Sequence, residues 1–331
     1  MRYLLSNYTV NVLAEKLIII GAGPAGLSAA IYASREGFEP LVIGGMGGGQ
    51  LELTSVVENY PGFPEGIDGP KLISELKRQA EHFGARFVYE FVNKVDFNTK
   101  PYKIFTDGNT YEADAIIVAT GADARWLGIE SEKRFRGKGV SSCATCDGAF
   151  FKGASVIVVG GGDTAMEDSL FLTRFAKSVT VVHRKNEFRA SRIMQERVLH
   201  NDKINVIWNS TVEEIKGDSR VNGVVLKNAL TGQTQELKID GVFIAIGYTP
   251  NTKPFAGSLP LDEQGYIITK DEVLVDRKDG IFIAGDVADH YYRQAATASG
   301  SGVKCAIRAR EYLSNLYYEK KEGSGSSESA H

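Results

Sequence analysis

At 331 residues, with 43% hydrophobic and 24% charged side chains, the chain has the composition of a soluble globular protein. Its length suits about two domains, each able to bury a core. A net charge of -3 argues against nucleic acid or an anionic membrane as partner, and three cysteines are too few for a secreted, disulfide-stapled scaffold.

The first fifteen residues lack a basic start followed by an unbroken apolar stretch, so no signal peptide is expected. No run approaches the roughly 18 apolar residues of a membrane span. The expected location is the cytoplasm. Leu17 to Ile20 predicts a strand, ending at Gly21-Ala22-Gly23-Pro24-Ala25-Gly26, and the alanine-rich run Leu27 to Ser34 predicts a helix. Leu41 to Ile43 predicts the next strand, completing a β-α-β unit. Ala115 to Val118 runs into Ala119-Thr120-Gly121. Ser155 to Val159 then repeats the opening pattern, ending at Gly160-Gly161-Gly162-Asp163-Thr164-Ala165, with an amphipathic stretch through Phe175 and a strand at Val179 to Val182. Gly241 to Ile246 leads to Gly247-Tyr248-Thr249-Pro250, and Ile281 to Ala284 leads to Gly285-Asp286-Val287. A helical pattern covers Gln294 to Leu313, and the polar, glycine-rich end from Gly323 is expected to lack order.

Two strand–glycine turn–helix units in one chain imply two nucleotide sites. The fold expected is α/β, with two Rossmann-like (three-layer ββα) nucleotide-binding domains, one inserted in the other. Residues 1–123 and 252–320 form the first domain, 124–251 the insert, and 321–331 a disordered tail.

The first turn matches G-x-G-x-x-G. Gly21 permits a tight turn, Gly23 lets the backbone approach a pyrophosphate, and Gly26 allows close helix–strand packing, although such turns sometimes only turn the chain. No acid ends the second strand, where Ile43-Gly44-Gly45 stands, so the loop Gly44 to Gln50 is expected to hold the ribose. The second turn uses Gly160, Gly162 and Ala165. Its following strand ends in His183-Arg184-Lys185, with Arg189 beyond. Cations at this place suit the 2′-phosphate of NADP, where an acid would favour NAD. Guanidinium groups hold phosphate through paired, charge-assisted hydrogen bonds. The bland alternative is a solvated basic strand end.

Cys143-Ala144-Thr145-Cys146-Asp147 carries the chemistry. Two intervening residues bring the thiols within disulfide reach and draw a thiol pKa toward neutrality. Zinc needs two more ligands, and only Cys305 remains among the cysteines, set in an apolar-periodic helix as a core residue; no metal is expected. Two inert buried cysteines are the other alternative. Disulfide exchange needs a proton for the leaving sulfur, and Asp147 is placed to give it, or to act as a cap or turn residue, or both.

Together these segments resemble the low-molecular-weight thioredoxin reductases of the bacterial and archaeal type, over about residues 15–315. The likeness rests on the two glycine turns, Gly48-Gly49-Gln50-Leu51, Glu58-Asn59-Tyr60-Pro61-Gly62, Ala119-Thr120-Gly121-Ala122, Cys143 to Gly148, His183-Arg184-Lys185, Phe188-Arg189-Ala190, Gly285-Asp286-Val287 and Tyr292-Arg293-Gln294-Ala295. A redox pair just ahead of the second nucleotide turn is especially specific. The resemblance implies FAD in the first domain, held by Gly21, Gly23, Pro24, Ala25, Gly45, Gly49, Gln50, Asn59, Thr120, Gly121, Gly285, Asp286 (on the ribityl chain), Arg293, Gln294 and Ala295. It implies NADPH in the insert, held by Gly160, Gly162, Asp163, Thr164, His183, Arg184, Arg189, Ile246 and Gly247. Cys146 resembles the cysteine nearest the flavin and Asp147 the family's acid. Thioredoxin as substrate, a homodimer, and alternating rotation of the domains about the crossings near Thr120–Asp123 and Gly247–Asn251 are implied likewise. The docking surface has no motif of its own. A flavoenzyme of the same fold reducing another protein or small-molecule disulfide therefore stays open.

Overall fold

The computed structural model describes residues 12–45, 47–53, 56–275 and 278–325. The expectation about a signal peptide therefore falls, through residue 11, outside the described residues. The chain divides into two compact units. One takes the residues up to Val56, Tyr60–Asp123 and those from Pro250 onward; the other takes Val57–Asn59 and Ala124–Thr249. Both are α/β, built on a parallel sheet. The crossings between them include two short strands, Ala122–Ala124 and Tyr248–Pro250, that pair with each other.

In the first unit the parallel strands stand in the order Arg86–Val88, Leu41–Ile43, Val12–Ile20 and Thr110–Val118, and Ile281–Ile283 pairs with the carboxyl half of the last. Ile18 lies opposite both Leu41 and Ile116, so the runs of β-branched residues are in register at the centre. Such runs are apolar on both faces because both faces are covered. Leu17 and Ile19 point into a core made with the helix Pro24–Arg35 and the final helix, Ala295–Gly325. Ile18 and Ile20 point the other way, toward Ile104, Tyr111 and Phe255 on the antiparallel side. Ile18 and Ile19 are fully buried, each side chain contributing about 1.5–3 kcal/mol relative to exposure.

The second unit repeats the plan. Its parallel strands run Val140–Ser141, Gly241–Ala245, Ser155–Gly160, Ser178–Val182 and Ile204–Ile207. Val156 and Val158 face the helix Asp163–Leu172, while Ile157 and Val159 face a three-stranded antiparallel layer, Ser210–Gly217, Val221–Asn228 and Thr234–Leu237. Each unit is thus a helical layer, a parallel sheet and an antiparallel layer.

The final helix continues past Leu313 to Gly325, taking in residues 321–325 of the stretch expected to lack order; the rest of that stretch lies outside the described residues. Among the described residues no helix is long and apolar enough to cross a membrane. This helix approaches Pro24–Arg35 so closely that a Cβ at Gly302 would lie 2.0 Å from the Ala25 carbonyl oxygen. That atom belongs to backbone and has no flexible end to give way. Gly302→Ala is expected to cost about 1–3 kcal/mol by forcing the two helices apart. A thermal melt followed by circular dichroism checks it; an unchanged midpoint would show that the helix contact is not tight.

Candidate active site

In the second unit every chemically suggestive residue of the sequence stands beyond the carboxyl end of a strand of one parallel sheet. Strand Val140–Ser141 delivers the cysteine pair, Gly241–Ala245 delivers Ile246 and Gly247, Ser155–Gly160 delivers the glycine turn, and Ser178–Val182 delivers His183 and Arg184. Ligands of open α/β sheets collect at this edge.

Cys143 and Cys146 form a disulfide, their Cα atoms 5.3 Å apart across one turn of helix, Ala144–Asp147. The Cys143 sulfur faces two donors: the Cys146 amide at 3.2 Å and the Thr145 hydroxyl at 3.4 Å. The Ser141 hydroxyl accepts from the Cys143 amide at 3.0 Å, which fixes the entry to the turn. Ser141 also hydrogen-bonds the carboxyl group of Asp147. Burial raises the Asp147 pKa above the ordinary aspartate value, and the Ser141 contact opposes that shift. Cys305, expected in the core, is fully buried in the first unit. Among the described residues no group of three or more His, Cys, Asp or Glu is placed to hold a metal ion.

The second glycine turn is set by contact distances. A Cβ at Gly160 would lie 2.3 Å from the Ala245 carbonyl oxygen, whereas one at Gly162 would meet nothing within 4 Å. Open space thus stands above the amino end of helix Asp163–Leu172, where backbone N–H groups favour an anion. The segment after His183 folds back on this turn: the Arg189 amide donates to the Gly161 carbonyl at 2.7 Å. Arg184 and Arg189 are exposed. His183 is not: it is 6% exposed, beneath Gly161 and beside Phe188 and Trp208, with Nε2 lacking a hydrogen-bond partner. Burial pulls its pKa down, and the two arginines reinforce the shift. The exposed cationic character of this strand end rests on the arginines and Lys185. Asp163 is exposed, Thr164 and Ile246 are half-buried, and Gly247 accepts from the Arg125 amide at 2.9 Å.

The first unit offers a second such edge. Gly21, at φ 117°, donates its amide to the Ile43 carbonyl at 2.8 Å, and a Cβ there would lie 2.2 Å from the Ala119 carbonyl oxygen. Only glycine meets both demands. Pro24 and Ala25 open the helix with Gly23 as its N-cap. Gly45 is anchored by its amide on the Glu90 carbonyl, and Gly49 opens a short 3-10 helix in which Gln50 donates to Asp123 at 2.8 Å. Thr120 donates to the Asn251 carbonyl at 2.9 Å, next to Gly121. Gly285 donates its amide to the Ser301 hydroxyl at 2.6 Å. Asp286 follows it with Oδ1 buried and without a hydrogen-bond partner, and burial, aided by Asp289, pushes its pKa up to about 7. An orphaned buried carboxyl oxygen at a strand end fits a hydroxyl-bearing ligand. Arg293 takes a left-handed backbone conformation with its amide on Asp289, and Gln294 and Ala295 lead directly into the final helix. Asn59 groups with the second compact unit, not with these residues.

Residues 15–302 match the pyridine nucleotide-disulphide oxidoreductase family model. A thioredoxin reductase of Rickettsia conorii is 50% identical over 306 residues, covering 91% of this chain and 99% of that one. The chain belongs to this family, within its thioredoxin reductases. The solved thioredoxin reductase of Giardia duodenalis superposes with a TM-score of 0.88 at 43% identity, covering 91% of this chain and 99% of that one. That of Streptococcus pyogenes gives 0.87 at 40% identity, with the same coverage.

Sequence reasoning passed over Ser141, Ser191 and Trp208, all of which shape the second unit's edge. Serines and aromatics carry no signal until the fold brings them to a partner, although Ser141 stands only two residues before the pair. Ser141→Ala is expected to move the Asp147 titration further up, because it deletes the contact that opposes burial. Difference infrared titration of the carboxyl band against Asp147→Asn measures this directly; a downward shift would reverse the assignment.

Proposed function

We propose that the chain is an FAD-dependent enzyme that takes electrons from NADPH to reduce the disulfide of thioredoxin. The observation that carries this reading is a single row, along one carboxyl sheet edge, of a redox disulfide, a glycine turn with anion space, and exposed arginines. The names of its relatives support the acceptor. A cytoplasmic homodimer is the state that the family likeness favours.

In this reading the Gly160–Thr164 turn takes the NADPH pyrophosphate, with Ile246 and Gly247 beside it. Arg184 and Arg189 take the 2′-phosphate, while His183 supports the strand end from below. Gly21 to Ala25 take the FAD pyrophosphate, and the loop through Gly45, Gly49 and Gln50 takes the ribose. Asp286 accepts from a ribityl hydroxyl, which supplies the partner its buried Oδ1 lacks. Thr120, Gly121 and Arg293 to Ala295 complete the flavin set. Bound flavin supplies the means of turning NADPH hydride into an electron pair for the Cys143–Cys146 disulfide.

The chain's own residues then act on the substrate. Two electrons and two protons convert the disulfide to a dithiol. One thiolate of the pair attacks a thioredoxin sulfur, breaking that S–S bond and forming a mixed disulfide, and the other displaces it to release dithiol thioredoxin. The donors facing Cys143 stabilise negative charge on its sulfur. Asp147, whose pKa burial raises above the ordinary aspartate value, delivers a proton to the leaving sulfur.

Anaerobic titration tests the path in order. NADPH is expected to bleach the flavin band and oxidised thioredoxin to restore it, with Cys146→Ser failing at the second step. Bleaching without recovery would discard thioredoxin in favour of another disulfide acceptor; no bleaching would discard the enzyme reading. Asp147→Asn keeps the side chain's size but removes the acid, and is expected to slow thioredoxin reduction about a hundredfold while sparing the NADPH step.

A further inference from the structure

Asp163 and Ser191 are joined by a contact that the glycine turn and the basic segment do not need for their own local structure. The Asp163 Oδ1 accepts twice from Ser191, from its amide at 2.9 Å and its hydroxyl at 2.7 Å. Ser191 is the N-cap residue of helix Arg192–Leu199, where a serine oxygen ordinarily accepts from an amide of the first turn. Here it makes no such bond. The hydroxyl is spent on a residue 28 positions away, at the start of the helix that follows the glycine turn.

The segment so held is the one that carries the arginines. Its root is tied by the His183 amide on the Ile207 carbonyl and by the Asn209 amide on the Lys185 carbonyl. Its middle is pinned by Phe188, buried with its ring centroid 4.3 Å from that of Trp208. Its far end closes on the glycine turn through the Arg189 and Ala190 amides on Gly161, and then through Ser191 on Asp163. The exposed Arg184 and Arg189 therefore project from a loop fastened at both ends. Asp163 also puts a carboxylate in the first helical turn beside the anion space, where it would repel phosphate if left free. Two hydrogen bonds from Ser191 hold that carboxylate to the loop.

We propose that Asp163 and Ser191 form a latch that sets coenzyme specificity by holding the arginine loop against the glycine turn. Both are positioning residues, acting on the 2′-phosphate through Arg184 and Arg189. This rests on the reading of those arginines given above. A latch of this kind acts on NADPH and leaves NADH, which has no 2′-phosphate, nearly untouched.

The test is steady-state kinetics of the flavin-loaded enzyme with each coenzyme, supplemented by inhibition with 2′,5′-ADP and with 5′-AMP. Ser191→Ala is expected to raise the NADPH KM and the 2′,5′-ADP inhibition constant about tenfold, the order of one hydrogen bond to a charged group, with kcat retained. The NADH KM and the 5′-AMP constant stay within about twofold. Ser191→Thr, which keeps the donor, restores the wild-type ratio, and Asp163→Ala with Ser191→Ala is no worse than either alone. Equal changes for both coenzymes, or no change for either, would overturn the latch. The pair Arg184→Ala with Arg189→Ala serves as reference. Should it too fail to separate NADPH from NADH, the arginine reading itself falls; should it separate them while Ser191→Ala does not, only the latch falls.

Discussion

A parallel sheet buried on both faces leaves its strands no exposed side on which to present polar groups. In both units of this chain the carboxyl-terminal parts of the central strands, such as Leu17–Ile20, Ala115–Val118 and Val156–Val159, are apolar and buried at every position, and a polar or glycine residue follows as each strand ends. Since the strands are parallel, those endings fall on one edge. Residues far apart in sequence are thereby assembled: Cys143, Gly160, His183 and Gly247 arrive separately, each delivered by its own strand. The chemistry depends on the burial of Val156, Val158, Ile18 and Ile19 as firmly as on the cysteines.

Backbone proximity adds the next constraint. At Gly21 and Gly160 the nearest atom to an added Cβ is a carbonyl oxygen of a neighbouring strand's end, at 2.2 and 2.3 Å. The glycines are required by the sheet itself before any ligand is considered. Gly162 differs, since a Cβ there meets nothing of the protein within 4 Å. One motif thus contains positions that serve packing and a position that leaves space.

That contrast bears on how much was legible in advance. The central parallel strands and their glycine turns were readable because an all-apolar run ending in glycine has few other uses. The edge strands Arg86–Val88, Val140–Ser141 and Ile204–Ile207 were not read. The antiparallel layers were not read: Ser210–Gly217 alternates buried and exposed positions with a β-bulge interrupting the period, and its charged residues look like loop. Strand Val12–Ile20 began earlier than its apolar core suggested, because residues 12–15 pair with Thr110–Ala113 at their backbone, with little help from hydrophobicity. Arg184 and Arg189 were found as exposed cations, while the burial of His183 follows from Trp208, a residue with no motif around it. Ser191 was invisible for the same reason: no motif surrounds it, and only the fold brings it to Asp163.

Desolvation supplies the last link, because it drives three titratable groups of these edges toward the neutral form. It raises Asp147 and Asp286 and lowers His183. A carboxyl group raised this way keeps its proton to higher pH, and so can donate; it also resists becoming an uncompensated buried anion. For Asp286, at about 7, the folded value exceeds the unfolded one, so its protonated form favours the fold at low pH and that contribution is lost as pH rises through 7. A ligand hydroxyl donating to Oδ1 would offset the loss by stabilising the carboxylate, which couples ligand binding to the charge state of this one side chain. Asp147 has Ser141 as a built-in donor and depends less on what binds. The two acids share a cause and differ in partner, and that difference suits one to hold a ligand and the other to move a proton.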